Sequence, residues 1–188
     1  MHHIIGIALA LFVAGCVPIS SKEMAPMAGI YQQIPASKGL EKSIKLGDVR
    51  VGGAEGVIHP YSDNPVKQAD YNDALQTALT NAKLLTSSGE KETYLLDANL
   101  VSLESPFKLF SLSITVNSTA HYRLRRTADN FIVWEETLKL PYTAKFSEAF
   151  NASMRARLAI ANAIRENITH MIRVLSSKSE SELNGKGT

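Results

Sequence analysis

The chain is short of nearly everything that would announce a chemistry. It has one cysteine, Cys16, so no internal disulfide can form and no cysteine cluster is available to a metal. Its histidines are scattered: His2 and His3 lie at the start, then His59, His121 and His170 stand alone, with no His-x-x-x-His pair to hold a cation. An excess of charge of one sign is also missing. A formal net charge of +2 gives no strong pull on nucleic acid, and no nucleic-acid partner is expected. Beyond residue 14 no apolar run approaches the roughly 20 residues that a membrane-spanning helix needs. With 45% hydrophobic and 20% charged residues, the remainder is an ordinary globular composition, long enough for one domain with a sizeable core.

What is present begins at the N-terminus. Ile4 to Ala14 is an apolar run of eleven residues, too short to span a bilayer and suited to the hydrophobic region of a signal peptide. Val13-Ala14-Gly15-Cys16 follows at once and resembles the bacterial lipobox. The resemblance implies cleavage before Cys16 and acylation of its thiol, which also accounts for a sole cysteine in an exported chain. Residue two of the mature chain is Val17, not aspartate; by resemblance to Gram-negative sorting rules this implies the outer membrane, facing the periplasm. Several acyl chains would give a stable anchor where one alone is marginal. The expected organisation is a signal peptide at 1–15, a lipidated cysteine with a flexible tether at 16–42, one domain at 43–175 and a disordered tail at 176–188.

The tether reading rests on Pro18, Pro26 and Pro35 spread among Ser, Lys and Gly without a sustained period. Within the domain, Ile44, Leu46, Val49 and Val51 predict a first strand at 43–51 with a bulge near Gly47-Asp48. A turn-rich loop at 52–66 follows. Tyr71, Ala74, Leu75, Ala78, Leu79, Ala82 and Leu85 predict a helix at 67–85 with one apolar stripe. A second strand at 93–103 precedes the clearest element, a third strand with Leu112, Ile114, Val116, Ser118, Ala120, Tyr122 and Leu124 on one face. Its other face carries Ser113, Thr115, Asn117, Thr119, His121, Arg123 and Arg125, so the sheet should be dry on one side and wet on the other. Thr127-Ala128-Asp129-Asn130 predicts a hairpin into a fourth strand at 131–142. A long helix at 147–175 carries Phe150, Met154, Leu158, Ala161, Ile164, Ile168, Met171, Ile172 and Leu175 along one stripe. The order β-α-β-β-β-α implies an α+β two-layer sandwich: a four-stranded, mostly antiparallel sheet with both helices on its dry face.

Catalytic motifs dissolve on inspection. Ser105-x-x-Lys108 and Ser88-x-x-Lys91 match a serine-enzyme pattern, but eighteen serines make such pairs commonplace, and neither falls on a predicted helix. The glycines at 52, 53 and 56 lack the spacing of a phosphate cradle, and Pro60 stands where a helix should open. No cofactor is expected. His121, Arg123, Arg125 and Arg126 make a basic cluster that reads either as a solvated face or as a contact for acidic lipid headgroups or an acidic partner. Phe107, Leu109 and Phe110 occupy the loop between strands two and three, where polar residues are usual. They read either as a loop folded onto the core or as an exposed tip for a partner or lipid.

The leader, the β-α-β-β-β-α order and the long closing helix resemble the small accessory lipoproteins of Gram-negative envelopes: YajG-like lipoproteins, LptE-like assembly factors and auxiliary lipoproteins of lipid-transporting ABC systems. Tyr94-Leu95-Leu96-Asp97-Ala98, Val133-Trp134-Glu135 and Ala163-Ile164-Arg165-Glu166-Asn167-Ile168 carry the local likeness. It implies a non-enzymatic binding, assembly or transport-accessory module with an envelope complex or lipid as partner, and it sets no oligomeric state. The alternatives are an envelope-acting hydrolase with a site not visible in sequence, and a purely structural lipoprotein.

Overall fold

The computed structural model describes residues 19–34, 39–52, 66–87, 93–105 and 112–183. Four strands, β1 (Ile44–Val51), β2 (Tyr94–Glu104), β3 (Ser113–Arg126) and β4 (Ile132–Lys145), form one sheet in the order β1-β2-β3-β4. The first pair is parallel and the other two are antiparallel. Helices α3 (Gln68–Asn81) and α4 (Ala152–Ser177) cover one face, which is the α+β arrangement that the strand and helix periods predict.

Alternation decides which face is dry. Leu96, Ala98 and Leu100 of β2 and Val116, Ala120, Tyr122 and Leu124 of β3 are all buried at consecutive even positions. Tyr71, Ala74, Leu75, Ala78 and Leu79 meet them from α3, and Ile164, Ile168, Met171 and Ile172 from α4. Each fully buried Leu or Ile stabilises the fold by about 1.5–3 kcal/mol relative to exposure. The bulge predicted in β1 lies between Leu46 and Val49, and Gly47 sits where a Cβ would collide with the Asp97 carboxylate. There the Asp48 N–H reaches that carboxylate at 3.0 Å.

Helix ends shift from their expected positions for local reasons. The first helix stops at Asn81 because Lys83 takes a left-handed conformation, φ 58°, and Leu84 and Leu85 both donate back to the Leu79 carbonyl. The long helix does not begin at Ser147. Glu148 accepts from the Lys145 N–H at 2.6 Å and the Tyr142 hydroxyl at 2.9 Å, which closes a turn. Asn151 then caps the helix through the Ser153 and Met154 N–H groups.

The described part of the segment expected to be a tether is packed, not extended into solvent. Short helices α1 (Ser21–Met24) and α2 (Ala28–Tyr31) lie on the domain, and Ile19, Met24, Ala25 and Leu40 are buried. Four bonds hold α1. Arg157 donates twice to the Glu23 carboxylate, and Arg165 donates to the carbonyls of Glu23 and Ala25. The tail is likewise ordered as far as α5 (Glu180–Leu183), whose Leu183 is buried. Isolated apolar residues between prolines carry no period, which is why sequence pattern alone reads this segment as a linker.

Polar groups also enter the core. Asn167 of α4 donates to the carbonyls of Ser118 and Leu138, at 3.1 Å each, and to the Ser118 hydroxyl at 3.2 Å; that hydroxyl donates to the Ala163 carbonyl at 2.8 Å. The Tyr71 and Tyr122 hydroxyls meet at 3.2 Å between α3 and the sheet.

Candidate functional site

Two surfaces stand out, and only one of them was expected. The wet face of the sheet holds His121, Arg123 and Arg125 on alternate positions of β3, as the strand pattern requires. Carboxylates from both neighbouring strands interleave with them. Arg125 lies 2.8 Å from Asp97 of β2, and Glu135 of β4 lies 3.1 Å from His121 and 3.5 Å from Arg123. Asp48 and Arg50 of β1 pair at the edge. Burial would raise the Asp97 acid, but the Arg125 guanidinium and the Asp48 N–H outweigh it and hold the carboxyl below its usual range. The surface is therefore a lattice of alternating signs rather than a field of positive charge. Asp48, Arg50, Asp97, Asn99, His121 and Arg123 line a depression of about 160 Å³ in it.

Arg126 does not join this group. It follows Tyr122 and Leu124 on the dry side, where it donates to the Leu183 carbonyl at 3.2 Å, pairs with Asp129 at 3.3 Å and lies 5.4 Å from the Phe131 ring. Counting two residues on from Leu124 assigns it to that face. The carboxylates that sequence reading missed are set by strand register. Glu135 stands opposite Arg123 across the hairpin, and Asp97 stands opposite Arg123 on β2.

The second surface is apolar and lies at one end of the sandwich. Leu112 and Phe146 stand one position beyond the last paired residues of β3 and β4, Ser113 and Lys145. Both continue the even, dry-side alternation past the point where α4 begins to cover it. Leu112 is 70% exposed, so its expected place in the core is corrected: the strand parity holds, but among the described residues no helix lies above it. Phe150 and Met154, expected on the buried stripe of the long helix, are 78% and 62% exposed: Phe150 precedes the Asn151 cap and is not on the helix, and Met154 stands in its first turn. Phe150 packs edge-on against Phe146, with ring centroids 5.1 Å apart. Arg155 supports the pair from below. It is buried, donates to the carbonyls of Ala149 and Phe150 at 2.8 and 2.7 Å, and places its guanidinium 5.2 Å from the Phe146 ring.

Cys16, the Gly-rich stretch beyond Gly52, His59 and the Ser88–Lys91 pair lie outside the described residues, as do Phe107, Leu109 and Phe110. The ends of that last loop are described: Ser105 donates to the Thr115 carbonyl at 2.9 Å, and Leu112 is exposed at the apolar end. Among the described residues no three His, Cys, Asp or Glu side chains gather as a metal site, and no helix is long and apolar enough to cross a membrane.

The architecture defines a class that other proteins share. No family model matches the sequence, and no curated protein matches it. Solved structures do. Protein XCC0632 from Xanthomonas campestris, of the family DUF330, is similar over 81% of this chain and 87% of its own, with a TM-score of 0.52 at 12% identity. A minor lipoprotein from Acinetobacter baumannii is similar over 73% of this chain and 94% of its own, with a TM-score of 0.48 at 13% identity. Protein CT253 from Chlamydia trachomatis is similar over 74% and 96%, with a TM-score of 0.48 at 11% identity. The likeness to XCC0632 is one of fold.

Proposed function

We propose that the chain is a lipoprotein of the outer membrane, anchored through acyl chains on Cys16 and facing the periplasm. It acts there as a non-catalytic binding, assembly or transport-accessory module of the envelope. The burial of Ile19, the first described residue, is the observation that carries this reading. Ile19 is already buried, so three peptide links, at most about 11 Å of backbone, separate the anchor from the packed domain. Lipidation would therefore fix the domain at the bilayer instead of letting it roam. The wet sheet face, with its interleaved Asp97, Arg125, His121 and Glu135, is then the surface open to a partner. Alternating signs favour a partner of matching pattern over a uniformly charged one.

Intact mass and membrane fractionation test the anchor. The wild-type chain should lose its leader, gain acyl mass and fractionate with the outer membrane, while Cys16→Ser should stay an unprocessed precursor. Normal maturation of Cys16→Ser would overturn the lipoprotein reading. Affinity purification from crosslinked envelopes, with Arg123→Glu as the comparison, tests the partner. The wild type should recover a reproducible envelope component that the variant loses. Turnover of an envelope polymer or lipid by the purified chain would overturn the non-catalytic reading.

A further inference from the structure

We infer that the apolar end formed by Leu112, Phe146, Phe150 and Met154 seats on the phospholipid bilayer that carries the anchor, so that the domain stands on the membrane in one orientation. This rests on the reading of Cys16 as the lipid acceptor.

The direction of the described chain points its N-terminal side toward that end. β1 and β2 finish, and β3 begins, at the same end of the sheet where β4 finishes and α4 starts. The N-terminal segment runs away from it. The Glu23 carboxylate meets Arg157 in the second turn of α4, the carbonyls of Glu23 and Ala25 meet Arg165 two turns further on, and Lys42 donates to the carbonyl of Lys83, just past the far end of α3. Traced backwards, the chain therefore climbs toward the start of α4. Met154 is one helical turn, about 4.5 Å of rise, from Arg157. Cys16 stands three positions, at most about 11 Å of chain, before Ile19, so in this seat its acyl chains enter the same bilayer that receives Phe150 and Met154.

The patch is built for such a seat. Buried Arg155 pins the carbonyls of Ala149 and Phe150, which holds the Phe150 ring outward instead of letting it fold back onto the core. Exposed Lys145 adjoins Phe146, where a long basic side chain reaches headgroups while its stem lies along apolar surface, and the nearby Glu148 carboxylate is engaged by the Lys145 N–H and the Tyr142 hydroxyl. Apolar tips with basic neighbours add interfacial binding to a lipid anchor. The opposite end also exposes Phe131, which gives an internal control.

The test uses the full acylated chain in vesicles of phosphatidylethanolamine and phosphatidylglycerol, with and without bromine on the acyl chains. Intact mass confirms acylation first. The emission added by Phe150→Trp should fall to about half in brominated vesicles, while that added by Phe131→Trp, and that of native Trp134, should stay unchanged. Acylated protein with no quenching at either site would overturn the seat, and a crosslink from residue 150 to an envelope protein would then assign this end to a protein partner. Equal quenching at both sites would overturn the single orientation. A chain without acyl mass would overturn the Cys16 reading, and this inference with it.

Discussion

The Glu23 carboxylate and the Arg157 guanidinium meet in a two-point ion pair, 2.8 Å at Nε and 2.7 Å at Nη2, across 134 positions of sequence. The hydrogen bond from Arg157 outweighs partial burial and lowers the Glu23 acid from 4.5 to about 2. A depressed acid stabilises the fold above its unfolded value. The contribution is therefore complete above about pH 5 and is lost as pH falls from 4.5 through about 2. Both side chains keep about a third of their surface in water, so solvent screening limits the pair to about 0.5–1 kcal/mol. Arg157→Ala should lower the melting temperature by about 1–4 °C at pH 7. It should also open the segment near Met24 to protease, and Glu23→Gln should flatten the acid limb of the stability profile. An unchanged acid limb in Glu23→Gln would remove the pair from the account.

The buried hydroxyls of Tyr71 and Tyr122 predict a coupled pair. Each is the other's partner at 3.2 Å, and burial pushes both phenols well above their ordinary value. Removing one leaves the other unsatisfied, which costs about 1–3 kcal/mol, whereas removing both exchanges a hydrogen bond for apolar contact. Urea denaturation of Tyr71→Phe, Tyr122→Phe and the double variant should therefore give a double-variant loss smaller than the sum of the singles. The alkaline absorbance titration of the native protein should be the same in all three, because neither phenol ionises before unfolding.

Neighbouring positions on β3 should respond oppositely to the same substitution. Val116 is buried, while Thr115 faces the wet side and meets Thr143 there at 2.8 Å between hydroxyls. Val116→Asp places an unpaired acid in the core and should leave no cooperative unfolding transition at neutral pH. Thr115→Asp should stay within about 1 kcal/mol of the parent. Circular dichroism melts distinguish the two, and similar melts would mean that the strand is shifted by one residue.

The strands and helices that share this core were legible because each carries a period of its own. The dry face of β3 is written in its alternation, and the α3 stripe in its spacings of three and four. Burial at the edges was not legible, because cover comes from elsewhere in the chain. Leu112 has the right phase and stays exposed, Phe150 falls before the helix that its phase assumed, and Ile19 and Met24 have no phase and are covered completely. The charged face fell in between. His121, Arg123 and Arg125 are visible as one side of a strand, but their neutralisation by Asp97 and Glu135 depends on strand register, and a bulge between Leu124 and Arg125 hides that from simple counting.

Asn167 supplies the last prediction, and it separates a polar clamp from ordinary packing. Its side chain is 1% exposed, and its amide donates to β3 and β4 at once through the Ser118 and Leu138 carbonyls. The Ser118 hydroxyl also accepts from this amide and donates to the Ala163 carbonyl, one turn earlier in the helix. These bonds fix both the rotation and the height of α4 over the sheet, which apolar contacts alone leave free to slide. Asn167→Ala removes the donors and opens a small cavity, so a loss of about 2–4 kcal/mol is expected. Asn167→Leu fills the space and removes only the donors, so its loss should be the smaller of the two. The clamp has a second signature besides stability. With Leu in place the domain should remain folded, but amide exchange of β3 and β4 near Ser118 and Leu138 should speed up, because the helix no longer holds the strands in one position. Exchange as slow as in the parent, together with a stability loss, would mean that Asn167 is a packing residue whose hydrogen bonds do not set the helix position.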